Sequence, residues 1–140
     1  MRRRRQLGSL WRVRFTESTP VPSPAALLKA QAEYLGERTG GVVRATVTSR
    51  TVRSSAQMVH TFRLVVPALD DYAYTLLQLV GGPAPYPITI RWGDEELSAP
   101  DQDALVDSLR MVFNSPRTTE IITNLMQMAD DTDDTEDTDG

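Results

Sequence analysis

Few side chains in this 140-residue chain are able to do chemistry. It has one histidine, His60, and no cysteine. That removes thiol nucleophiles, iron–sulfur clusters, thiolate zinc sites and every metal site built on several histidines. A serine hydrolase would need His60 as its base, but the chain lacks a Gly-x-Ser-x-Gly elbow. His60 also alternates with Met58 and Phe62 on an apolar face, the pattern of a hydrogen-bonded histidine at the core or its rim. Its catalytic rival is a general base paired with Asp70 or Asp71. The stretch Gly81-Gly82-Pro83-Ala84-Pro85 lacks the Lys-Ser/Thr of a phosphate loop, and its prolines remove backbone donors. Asp94-Glu95-Glu96 with Asp101, Asp103 and Asp107 is the densest acidic cluster between the two charged ends and offers oxygen ligands for Mg²⁺ or Ca²⁺. Its spacing follows no EF-hand loop, and carboxylates in a first helical turn are already explained by the helix dipole. No catalytic residue, cofactor or metal is therefore assigned, and the chain is expected not to be an enzyme.

The arginines carry more information. Residues 42–66 and 86–92 hold Arg44, Arg50, Arg53, Arg63 and Arg91 without one carboxylate, whereas Glu33, Glu37, Asp101, Asp103, Asp107 and Glu120 fall in segments with helical spacing. A basic sheet with acidic helices follows. Strand alternation sends Arg44, Arg50, Arg63 and Arg91 to the side opposite Val43, Phe62 and Ile88, together with Thr46, Thr48, Thr61 and Thr89. If every helix covers the other side, this face is open to a phosphate backbone, an acidic protein segment or the chain's own acidic tail. The plainer reading is the solvated face of a two-layer fold.

The elements that would position these groups are legible from periodicity. Ser23 can cap a helix with Pro24 in its first turn, running to about Arg38 with Leu28, Ala32 and Leu35 on one side and Gly40-Gly41 as its stop. Val42 to Arg53 and Met58 to Val66 alternate as strands around a loop at Ser54–Gln57. Residues 72–80 fit both a period of two and a helix; a strand is chosen, with Gly81-Gly82-Pro83 ending it. Tyr86 to Trp92 gives a fourth strand, ended by Gly93-Asp94. Ser98 with Asp101 resembles a capping box before a helix carrying Leu105, Val106, Leu109, Val112 and Phe113. Asn114-Ser115-Pro116 then opens another helix with Ile121, Ile122, Leu125, Met126 and Met128 on its buried face. The expected fold is α+β, a four-stranded antiparallel sheet with three helices on one face in the order α-ββββ-αα.

Charge is sorted along the chain, six arginines and no acid in residues 1–16 against seven carboxylates and no base in residues 130–140. Such ends cannot bury a core, so residues 1–22 are expected to be a disordered basic and proline-rich head, 23–128 a single domain, and 129–140 a disordered acidic tail. Arg2, Arg3, Arg4 and Arg5 with Trp11 and Phe15 form a basic arm with aromatic anchors, usable on nucleic acid. Arg12 and Arg14 interrupt the apolar stretch a signal peptide needs, and no window approaches the roughly 18 consecutive apolar residues of a membrane helix. A cytoplasmic chain is expected. Of its 15 basic residues 14 are Arg, a skew associated with GC-rich bacterial genomes.

Three stretches resemble a family of small uncharacterised bacterial proteins: Pro24-Ala25-Ala26-Leu27-Leu28-Lys29-Ala30-Gln31-Ala32-Glu33-Tyr34-Leu35, the region from Val66-Pro67-Ala68-Leu69 to Tyr86-Pro87-Ile88-Thr89-Ile90, and Val112-Phe113-Asn114-Ser115-Pro116-Arg117-Thr118-Thr119-Glu120-Ile121-Ile122. The resemblance spans about residues 22–128 and implies a bacterial cytosolic domain, with no activity or catalytic residue to carry over. Residues and resemblance together point to a non-catalytic interaction or regulatory module that binds a protein partner through Arg44, Arg50, Arg63 and Arg91. The alternative is a nucleic-acid-binding accessory protein using Arg2–Arg5 and the same face. The oligomeric state is left open.

Overall fold

The computed structural model describes residues 8–9 and 22–138. The Ser23 hydroxyl accepts a hydrogen bond from the Ala26 amide at 3.1 Å. This satisfies one of the free donors at the start of α1 (Pro24–Arg38), and Pro24 occupies a first-turn position where an N–H has no partner anyway. The helix ends on Thr39, whose buried hydroxyl accepts from the Val43 amide at 3.2 Å and donates to the Val43 carbonyl at 2.8 Å. With the Leu35 carbonyl 3.1 Å away as a second acceptor, one side chain ties the last turn of α1 to the residue that leads into the sheet.

Five strands follow, interrupted by a 3-10 turn at Pro67–Leu69: β1 (Arg44–Val52), β2 (Gln57–Val66), β3 (Tyr72–Gly81), β4 (Ile88–Trp92) and β5 (Glu95–Ala99). They pair in the order β1-β2-β3-β4-β5, every pair antiparallel. Two helices close the described chain, α2 (Gln102–Phe113) and α3 (Pro116–Thr138). The class is the α+β expected. The sheet has five strands rather than four, and the order is α-βββββ-αα.

The additional strand arises at Gly93-Asp94. Trp92 faces Glu95 across a two-residue turn in which Gly93 has φ of +61° and Asp94 does not take a positive φ, so the chain reverses instead of stopping. A Cβ on Gly93 would also meet the Arg117 guanidinium at 2.6 Å, the flexible end of a side chain that can swing aside. That guanidinium also lies over the Trp92 ring, 6.0 Å from its centroid. The strand extends through Ser98, so Ser98 does not open a capping box. Asp101 is the N-cap of α2, its carboxylate accepting from the Ala104 amide at 2.8 Å.

All three helices send side chains into one core over one face of the sheet. Leu28 of α1, Leu105, Leu109 and Val112 of α2, and Leu125 and Ala129 of α3 join Phe62, Leu64, Leu77, Leu79, Ile88 and Ile90. Each of the buried Leu, Ile, Val and Phe side chains is worth about 1.5–3 kcal/mol over leaving it in water. The Phe62 and Phe113 rings meet at 5.3 Å with a 47° tilt, joining the sheet centre to the end of α2. Between Phe62 and Arg63 the register of β2 against β3 shifts, leaving Leu76 without a partner. This bulge turns both Leu76 and Leu77 into the core.

Helix α3 carries on through Thr138, past residue 129 where regular structure was expected to stop, and Ala129 is a buried core residue. A helix anchored by Leu125 and Ala129 propagates at one hydrogen bond per residue, which is less demanding than nucleation. The basic head, including Arg2–Arg5, Trp11 and Phe15, lies outside the described residues. Among the described residues no helix is long and apolar enough to cross a membrane.

Candidate interaction face

The side of the sheet turned away from the core is built by register alone. Four cross-strand rows run over it: Arg44–Val65–Ala73, Thr46–Arg63–Thr75, Thr48–Thr61–Gln78–Arg91–Glu96 and Arg50–Val59–Val80–Thr89–Ser98. Arg44, Arg50, Arg63 and Arg91 therefore share one face, as alternation requires, and all four are exposed. Arg44 and Arg63 are diagonal neighbours on adjacent strands, a separation of roughly 7–8 Å that lets both reach one anionic group.

Their electrostatic situations differ. Arg91 donates from Nε to Glu96 Oε2 at 3.3 Å, the two side chains being 51% and 63% exposed. An ion pair so open to water contributes at most about 1 kcal/mol. Among the described residues no carboxylate reaches ion-pair distance of Arg44, Arg50 or Arg63. Glu96 corrects the expectation of a face free of acid, because the fifth strand pairs it directly with Arg91. The face consequently splits into an uncompensated basic part on β1 and β2 and a neutralised part on β4 and β5.

The floor between the arginines mixes valine with threonine and glutamine, and part of it is buried. Val59, Val80 and Thr61 are 3%, 6% and 6% exposed, and the two valines stand apart from the helix-side core. Thr61 Oγ1 accepts from Gln78 Nε2 at 3.1 Å, which pins the amide flat along its row.

The histidine sits on the helix side. His60 Nδ1 lies 2.7 Å from Ser49 Oγ, the residue directly opposite it on β1. Burial lowers its pKa below the ordinary 6.5, and the positive charge of Lys29 adds to the effect. Asp70 and Asp71, the acids expected as its partners in catalysis, lie at the far end of β2 in the turn to β3, and the structure does not bring them to the ring. Ser49 escaped the sequence reading, although a four-residue loop between Val52 and Gln57 would have placed it opposite His60. The acidic cluster also disperses: Asp101 caps α2, Asp94 and Glu95 belong to the β4–β5 reversal, and among the described residues no three such side chains gather as a metal site. The Tyr86 hydroxyl is buried without a hydrogen-bond partner, and burial followed by the charge of Asp101 raises its pKa. No protein-family model, curated protein or solved structure matches the chain.

Proposed function

We propose that the chain is a non-catalytic interaction module whose arginine-bearing face binds an acidic segment of a protein partner in the bacterial cytoplasm. One observation carries this reading: four arginines share the face opposite the helices, and three of them have no carboxylate partner among the described residues. Charge left uncompensated on a flat, β-branched surface favours an anionic partner and steers its approach, with little to lose in stability when the pairing forms. The bacterial cytoplasm rests on the arginine-rich composition and the family resemblance.

The test is titration of the ¹⁵N-labelled protein with a nine-residue polyglutamate peptide. Amide shifts are expected to concentrate on Arg44–Arg50 and Thr61–Val65, to weaken as salt rises, and to disappear in the Arg44→Glu/Arg63→Glu variant while its folded spectrum persists. Shifts that survive the double charge reversal would overturn the reading. Single-stranded DNA that binds at the same residues more tightly than polyglutamate would transfer the face to nucleic acid.

A further inference from the structure

The two edges of the sheet are unequal. β5 has five residues, is followed at once by Pro100, and has α2 packed against it. β1 has nine residues, pairs with β2 along its whole length without a shift, contains no proline, and meets no described strand on its other side. Proline, bulges, short length and cover are the usual devices that close an edge. β1 lacks the first three and, although α1 packs against it, no described strand continues the sheet beyond it, so a row of its N–H and C=O groups points outward in the sheet plane.

What flanks that row is chemically two-sided. Toward α1 lies an open recess of about 730 Å³ whose floor is small and apolar: Ala32, Gly36, Ala45 and Val47. Nothing stands within 4 Å of where a Cβ on Gly36 would be. Lys29 and Arg44 line the recess along with Glu33 and Glu37, so its charges balance and its apolar floor decides what enters it. On the other side of β1 are Arg44 and Arg50, both exposed and neither ion-paired among the described residues.

We infer that the β1 edge takes up an extended partner segment as an added strand, with apolar side chains alternating with carboxylates. The main chain pairs with β1, the apolar residues enter the recess over Ala45 and Val47, and the carboxylates stand opposite Arg44 and Arg50. Strand addition of this kind draws affinity from main-chain hydrogen bonds and specificity from alternate side chains. The inference rests on the reading of the face as acid-binding and adds the mode of docking and the sequence pattern of the partner.

The experiment uses the full chain and synthetic nine-residue peptides: one alternating Glu and Val, two versions of it N-methylated on either alternate set of amides, and polyglutamate. Since only one set of amides can face β1, one methylated version should bind about tenfold more weakly and the other almost normally. Bound peptide should also slow hydrogen exchange of β1 amides, and Arg50→Glu should weaken the alternating peptide. If both methylated versions bind like the parent while Arg50→Glu still weakens them, strand addition is wrong and the acid-binding face stands. If neither the alternating peptide nor polyglutamate produces an arginine-dependent shift, the face reading fails as well. A dimer that forms through β1 and excludes the alternating peptide assigns the edge to a second copy, which also overturns the inference.

Discussion

Arg63 and Leu64 are neighbours in sequence, yet they belong to different materials. Leu64 is fully buried beneath the helices, in a core where each removed methylene is felt, whereas Arg63 stands exposed on a face to which no helix contributes a core residue. The helix-covered face holds most of the apolar burial; the opposite face buries Val59 and Val80 and carries the arginines. The two faces therefore respond differently to change, and that difference is measurable.

The largest effect is expected from Phe62→Ala, which should cost about 3–5 kcal/mol in urea unfolding because Phe62 packs on Phe113 at the sheet centre. Val80→Ala sharpens the comparison. Val80 lies on the open face but is only 6% exposed, so about 1–2 kcal/mol should be lost; a cost below about 0.5 kcal/mol would show its burial to be of no consequence. Asp101→Ala removes the cap of α2 on the helix side and should cost about 1 kcal/mol. Arg63→Glu should change stability by no more than about 0.5 kcal/mol while reversing the sign of the face; a loss as large as that of Phe62→Ala would erase the distinction between the two faces.

The smallest effect concerns His60. Its folded-state pKa lies below 6.5, so between these values the unfolded chain binds the proton more readily. That share of stability is complete above pH 6.5 and is lost as pH falls through the folded-state value. Thermal midpoints taken from pH 7.5 downward should thus decline slightly more for the native chain than for His60→Gln.

Most of this arrangement is written in local pattern. The cap at Ser23, the alternation of Met58 to Val66 and the stripe from Leu105 to Phe113 each bury one face at the period their backbone imposes, so the helices, the first two strands and the sidedness of the arginines follow from sequence. Residues 72–80 are ambiguous for a physical reason. Tyr74 points inward on one parity and Leu77 and Leu79 on the other, because the bulge at Leu76 changes parity inside the strand, and a broken period of two mimics a helix. β5 was obscured by Glu95 and Glu96, residues poor in strand propensity, while the Gly93-Asp94 turn that makes the hairpin also reads as a stop. Glu96 as the neighbour of Arg91, and Ser49 as that of His60, depend on register, which becomes visible only once the loop lengths are fixed.

Thr39 gives the recess beside β1 its gauge. Because a single hydroxyl clamps the end of α1 to Val43, the helix leaves the sheet from a fixed pivot, and that joint sets the height of Ala32 and Gly36 above Val47 together with the seating of Leu28 and Leu35 on the core. A Thr39→Val exchange keeps the shape of the joint but cuts its hydrogen bonds, so the mouth of the recess would widen or narrow from its hinge end without any change to the residues that line it.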